Sequence, residues 1–383
     1  MTTTDTTRVS EAAAPSAFAG AERAHHYIEQ PDTPNPPAVE PEQVDSTVPG
    51  PDAVAPSQAE EIAPVEPAPL TDIDRDLSET AVPAAAPIAH RGIRALLGRA
   101  GIKIKPGAAE LAELDRVNAA RRDEKTIRQA TWTRAVSILV ANPKGGVGKT
   151  PTALLLGGTL ATIRGGSVCI VEVSDDRGAL TYRSEGHPQR GLGELVRDIA
   201  EIRSAGQLGG YTAPQSSFAS VIGTVATRPT LGDSDVTAVA AVIDEYFAIR
   251  VMDSGNQTSS AAFRGALDRA DVVVIPITNA GDAALEAAAL LDTLRAGDAH
   301  SRTLADNAVI VRLHDGRPEN PQVIARVDRI LASYKIRAIH EIPFDGHIAE
   351  RGQLTLGKLS PATREALTAQ AAAVIRTLHT AVH

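Results

Sequence analysis

The chain has 383 residues, with 38 lysines and arginines against 47 aspartates and glutamates, and a single cysteine. One cysteine excludes a disulfide framework and a cysteine-based metal cluster. No apolar run approaches the roughly 18 residues that a membrane span needs and no charged-then-apolar leader opens the chain, so a cytoplasmic protein is expected.

The acidity is local. Residues 1–89 hold 16 acidic and 3 basic side chains, leaving a net charge of +4 for residues 90–383. The same 89 residues hold 14 of the 25 prolines, a composition that buries too little apolar surface to offset its ordering entropy, and a disordered acidic tail is predicted. Its role is open between a solubilising spacer and an arm that docks on a partner protein. From 90 to 105 the character reverses: Arg91, Arg94, Arg99, Lys103 and Lys105 alternate with Ile93, Leu96, Leu97 and Ile102. This basic amphipathic stretch suits nucleic acid or an anionic surface, and equally suits docking on the following domain. A charged helix over 107–130, with Leu111, Leu114 and Val117 on one side, completes a connector over 90–132.

The remaining residues, 133–383, read as one α/β domain. Residues 135–140, Ala-Val-Ser-Ile-Leu-Val, are short and apolar enough for a buried parallel strand, and 152–163 repeat apolar residues at helical spacing. Between them stands Pro143-Lys144-Gly145-Gly146-Val147-Gly148-Lys149-Thr150-Pro151. Strand, glycine-rich loop and helix start together form a phosphate cradle, in which backbone N–H groups and the positive helix end face an anion. Lys149 is placed to reach the β- and γ-phosphates and Thr150 to hold Mg²⁺, so ATP and Mg²⁺ are the expected cofactors, with Pro143, Gly145, Gly146, Val147, Gly148 and Pro151 completing the loop around the nucleotide.

The plain P-loop pattern fails at Pro143, whereas the form Lys-Gly-Gly-x-Gly-Lys-Thr fits in full. Here the chain resembles the ParA/MinD family of deviant P-loop ATPases, whose mark is the extra lysine, Lys144. The resemblance covers about residues 90–383. Asp176-Arg177-Gly178-Ala179-Leu180 and Ile342-Pro343-Phe344-Asp345 look like an actinobacterial MinD-like subgroup with proline-rich N-termini, some of it associated with type VII secretion. It implies a doubly wound, mostly parallel sheet flanked by helices, a homodimer formed on ATP binding, and a Lys144 that reaches the partner's nucleotide.

Alternating strands and helices continue. A strand over 167–173 runs into Glu172-Val173-Ser174-Asp175-Asp176. The resemblance places switch I here, with Glu172 at the first acidic position and Ser174 where the family has the aspartate that positions the attacking water; Asp175 and Asp176 are the displaced candidates for that catalytic task. A helix over 192–203, a strand over 220–227 and a helix capped by Asp233 or Ser234 follow. Asp253, ending the strand that begins near 247, is the candidate second magnesium ligand, and Ser254, Gly255 and Asn256 fall in switch II. Strands at 271–277, 308–313 and 336–342 alternate with helices at 283–295 and 321–334. In related ATPases the last strand ends cradle the base, which makes Arg312 and Pro343 candidate adenine contacts. Ser360-Pro361 starts a C-terminal helix, a cap followed by proline at the first helical position. Pro151 stands where the family has a hydroxyl residue and has no N–H to give a phosphate, which lowers the expected nucleotide affinity.

Two functions compete. One is a slowly hydrolysing, ATP-dependent dimer switch in plasmid or chromosome partitioning or spatial positioning. Lys335, Arg337, Arg351, Lys358 and Arg364 would then offer non-specific DNA contacts, with a ParB-like partner and a nucleoid location. The other is a regulatory ATPase of a secretion system, using nucleotide as a conformational signal with little hydrolysis. A metallochaperone or synthetase is disfavoured because no His/Cys ligand cluster is present; His340 and His347 read as surface or strand-end histidines.

Overall fold

The computed structural model describes residues 107–336 and 339–382; the tail expected over 1–89, the basic stretch over 90–105 and Arg337 lie outside the described residues. In chain order the strands are β1 (Val136–Val140), β2 (Val168–Val173), β3 (Ala213–Pro214), β4 (Ser220–Ile222), β5 (Ile249–Ser254), β6 (Val272–Ile277), β7 (Val309–Leu313) and β8 (Ile339–Ile342). They form one sheet in the order β3-β4-β2-β5-β1-β6-β7-β8, parallel throughout except where the short β3 pairs with β4. The helices are α1 (Ala108–Gln129), α2 (Lys149–Arg164), α3 (Leu180–Arg183), α4 (Leu192–Asp198), α5 (Ala205–Gly209), α6 (Asp233–Tyr246), α7 (Ala261–Asp268), α8 (Gly281–Ala296), α9 (Ala299–Asp306), α10 (Pro321–Ser333), α11 (Gly346–Ala349) and α12 (Pro361–Val382).

Side-chain alternation divides each strand between two cores. Val136, Ile138 and Val140 of β1, with Ile170 and Val251, pack under α2 and α12; Leu139, Val171 and Met252 pack on the opposite face, under α4 and α6 to α10. Burial on both faces is why these strands read as continuous apolar runs. Cys169 is a fully buried core thiol on β2, and burial pushes its pKa up. The expected C-terminal helix forms as read, with the Ser360 hydroxyl accepting from the Thr363 N–H at 3.2 Å.

Several boundaries differ from the sequence reading, each for a tertiary reason. The helix expected over 192–203 is α4 followed by a 3₁₀ turn at Ile199–Glu201, and the Tyr211 hydroxyl donates to Asp198 at 2.9 Å at the break. The strand expected to reach 227 stops at Ile222, because the Gly223 carbonyl accepts from the Leu192 N–H and Thr224 turns its hydroxyl to Glu172. Gly232, and neither Asp233 nor Ser234, caps α6, with its N–H donating to Asp235 at 2.9 Å. The expected connector helix, α1, lies on α12 and α2: Ile127 is fully buried, and Arg164 donates to the Ile127 and Ala130 carbonyls while stacking over Trp132 at 5.2 Å. No helix among the described residues is long and apolar enough to cross a membrane.

The close seating of α2 on the sheet is what brings the start of that helix up to the strand ends. A Cβ at Gly157 would stand 2.6 Å from Ile170 Cγ1 and 2.7 Å from its Cδ1. Gly157→Ala gains about 1 kcal/mol of helix propensity against an overpacking cost of about 1–3 kcal/mol. Urea unfolding is expected to show net destabilisation, partly recovered by adding Ile170→Val; a Gly157→Ala variant more stable than wild type would mean that the helix can move off the sheet.

Candidate nucleotide site

The glycine-rich loop leaves the C-terminal end of β1 and is shaped by Asn142, whose amide donates to the Pro276 carbonyl at 2.9 Å and whose Oδ1 accepts from the Lys144 N–H at 2.9 Å. Gly146 and Gly148 have φ of 79° and 92°, the left-handed region that side chains disfavour. Helix α2 begins at Lys149 without any side-chain cap, so its first N–H groups are free for a ligand. Its third residue is Pro151, which removes one donor.

Lys149 is buried, and its ammonium is surrounded by oxygen: the Asn142 carbonyl at 2.9 Å, the Lys144 carbonyl at 3.1 Å and Asn256 Oδ1 at 2.5 Å. Burial pulls its pKa down, and the nearby Asp253 opposes that shift. Thr150 donates its hydroxyl to Asp253 Oδ2 at 2.7 Å. Asp253 lies next to Val140 on one side and Glu172 on the other, at the C-terminal ends of β1, β5 and β2. Its Oδ1 is buried without a partner. Desolvation is the main reason that its pKa rises to about 7; the Glu172 charge adds to the rise, while the Thr150 hydrogen bond and Lys149 oppose it. A divalent cation fits this donor set, since it would satisfy the orphaned oxygen and offset the buried charge.

Glu172 points to the same face of the sheet and is anchored differently. Its Oε1 accepts from the Thr224 hydroxyl and, at 3.2 Å, from Arg228, in an ion pair whose side chains are 1% and 3% exposed. Arg228 also donates to the carbonyls of Ser174 at 2.7 Å, Asp175 at 3.0 Å and Asp176 at 3.2 Å. One guanidinium therefore fixes the backbone from Ser174 to Asp176. Ser174 turns its hydroxyl to the Asp176 carbonyl. Nothing in the sequence pattern marked Arg228, because it sits 52 or more residues away, in the loop after β4.

A cavity of about 520 Å³ takes in residues 146–151, Glu172, Ser174, Asp175, Asp176, Asp253 and Asn256, with Arg228 and Thr224 outside its lining. Neither of the two expected base contacts borders this cavity. Arg312 is turned into ion pairs with Asp328 at 2.5 Å and Glu341 at 3.2 Å, and it does not border the cavity. Pro343 does not border it either; the adjoining Leu313, His314 and Phe344 do, and Gly316 packs against the Phe344 ring. Pro143, Lys144 and Gly145 do not border the cavity, and Lys144 pairs with Asp282 of α8 at 2.8 Å, a contact that raises its pKa. His340, the second residue of β8, is partly buried, with an unpartnered Nε2 and a pKa lowered by desolvation, which fits the strand-end reading and not the surface one. No group of three or more His, Cys, Asp or Glu side chains suited to a metal occurs among the described residues.

The chain matches the family described as the CobQ/CobB/MinD/ParA nucleotide binding domain over residues 138–355. Among curated proteins it is similar to the ESX-1 secretion-associated protein EspI of two strains of Mycobacterium tuberculosis, at 25% identity over 245 residues. The match covers 62% of this chain and 36% of that protein, so the chain spans little more than a third of the relatives it matches. Among solved structures it is similar to a ParA family ATPase from Chlorobium tepidum TLS, at 14% identity, with 65% of this chain and 98% of that one covered and a TM-score of 0.49. A chain of the MinC:MinD cell division protein complex from Aquifex aeolicus gives 17% identity, coverage of 62% and 94%, and a TM-score of 0.47.

Two outcomes are expected from the buried carboxylates. Between the unfolded aspartate pKa near 4 and the folded value of about 7, the folded chain keeps a proton that the unfolded chain has lost. Metal-free stability therefore falls as pH rises through that window, by up to about 1.4 kcal/mol per pH unit. Urea titrations at several pH values should show the fall in wild type and its absence in Asp253→Asn. Arg228→Leu leaves Glu172 charged and unpaired, at a cost of about 3–5 kcal/mol; Glu172→Gln in the same chain should recover part of it, and an additive double-mutant cycle would show the pair to be uncoupled.

Proposed function

The chain belongs to the CobQ/CobB/MinD/ParA nucleotide-binding family, and from that premise we propose that it is an ATP- and Mg²⁺-binding switch that dimerises on nucleotide and hydrolyses it slowly. The observation that carries this reading is the meeting of Lys149, Thr150 and Asp253 at one cavity, with Asp253 Oδ1 orphaned beside the Thr150 hydroxyl. With nucleotide bound, Lys149 would exchange its loop carbonyls for phosphate oxygens and Thr150 and Asp253 would hold a divalent cation, whose contribution would be charge neutralisation at the phosphates. Lys144, released from Asp282, reaches the nucleotide of a second copy.

Slow hydrolysis follows from switch I. Ser174 is a poor base and its hydroxyl is already committed to the Asp176 carbonyl, while Arg228 fixes the backbone on which Asp175 and Asp176 stand. Water orientation by either acid requires its side chain to swing without the backbone following. The state that persists is then the ATP-bound one, and the protein acts cytoplasmically by what that state binds.

Two cargoes are consistent with such a switch. The first is DNA, as in a partition or positioning system. The second is a secretion-associated partner, and the similarity to a protein named as ESX-1 secretion-associated favours it. Sedimentation and DNA co-sedimentation with ATP, ADP or no nucleotide separate them. Lys149→Ala should weaken ATP binding by about 10- to 100-fold, the loss of hydrogen bonds to a charged group. Lys144→Ala should keep ATP binding and lose the dimer. Salt-sensitive, ATP-dependent DNA binding supports the first cargo; an ATP-dependent dimer with no DNA binding supports the second. Wild type that binds no ATP, or binds it without self-association, overturns the switch.

A further inference from the structure

Arg183, the last residue of α3, is 7% exposed and borders the nucleotide cavity. Its side chain makes a single hydrogen bond, from one terminal nitrogen to the Ile348 carbonyl at 3.3 Å, and its Nε is buried with no partner. No carboxylate compensates it. Burial lowers its pKa first, and the charged neighbour that lowers it next is another cation, Arg351. Arg351 borders the same cavity, is exposed, and holds a left-handed φ of 56°.

A buried guanidinium with one long bond to a neutral carbonyl, set beside a like charge, lowers stability in the free protein. A tether to Ile348 does not need it, since the backbone already ties the two segments through the Leu354 N–H and the Arg183 carbonyl at 2.8 Å. The arrangement is satisfied by an anion from outside. The same cavity holds Pro151, where α2 lacks a phosphate donor, and α3 packs directly on α2. We propose that Arg183, with Arg351 beside it, grips the phosphate chain of a nucleoside di- or triphosphate and supplies the contact that Pro151 withholds. This rests on the nucleotide-binding reading of the cavity. Guanidinium and phosphate match in shape and charge, and a bidentate pair there restores the two unmet needs together.

The test is titration of the full-length chain with ATP, ADP, adenosine and inorganic pyrophosphate, on wild type, Arg183→Met and Arg183→Lys, with thermal melting of each in the absence of ligand. Arg183→Met is expected to lose about 10- to 100-fold in affinity for ATP, ADP and pyrophosphate, to keep the affinity for adenosine, and to melt no lower than wild type. Arg183→Lys should lose less, and Pro151→Thr added to Arg183→Met should recover part of the loss. Undiminished ATP and ADP affinity in Arg183→Met overturns the proposal, as does an equal loss for adenosine with a lowered melting temperature, the signature of a structural arginine. Loss of self-association with unchanged ATP affinity also overturns it, because the anion would then belong to a second copy. Wild type that binds none of the phosphates defeats the nucleotide reading itself; phosphate binding by wild type that Arg183→Met retains in full defeats only this inference.

Discussion

The constraint on which this structure turns is the burial of two carboxylates, Glu172 and Asp253, side by side on adjacent parallel strands. Both follow strand residues, Ile170 and Val251, that face α2, so the alternation that builds the core also delivers both acids to one face. Buried charge is tolerated only when it is paired, hydrogen-bonded or neutralised. The two acids meet that requirement in different ways. Glu172 has a buried arginine and a threonine hydroxyl; Asp253 has a threonine hydroxyl and otherwise keeps its proton up to about pH 7. Each acid also keeps one buried oxygen without a partner, Glu172 Oε2 and Asp253 Oδ1, and both residues border the cavity.

The cationic side of the site shows the same division. Lys149 is held by two loop carbonyls and Asn256, oxygens that occupy it as phosphate would. Lys144 is held on α8 by Asp282, in an exposed pair of small energetic weight that is easily exchanged. Arg228 has six acceptors on its own chain and is fixed. Arg183 has one. Partners in the fold thus sort these cations by the number of acceptors each has found, from six at Arg228 to one at Arg183.

The Arg228 anchor joins the loop after β4 to the successive carbonyls of Ser174, Asp175 and Asp176, while Gly255 of the facing loop leaves room for Ser174 and Asp175, a Cβ there lying 3.1 Å from each. The Ser174 hydroxyl, turned to the Asp176 carbonyl, ties the same turn together from within.

Local signals in the sequence determined the phosphate loop, the strand-loop-helix frame around it, the buried parallel strands and the C-terminal helix start, because a glycine-rich turn, an apolar run or a cap is written in neighbouring residues. Asp253 was legible for the same reason, as an acid closing an apolar run. The tertiary structure decided what depends on residues distant in the chain. It placed Arg228 on Glu172, turned Arg312 away from the cavity to Asp328 and Glu341, brought Phe344 rather than Pro343 to the cavity wall, and left Arg183 buried without a carboxylate. Whether an arginine serves as anchor, surface charge or ligand contact is set by which oxygens folding brings within about 3 Å of it, and no local pattern carries that information.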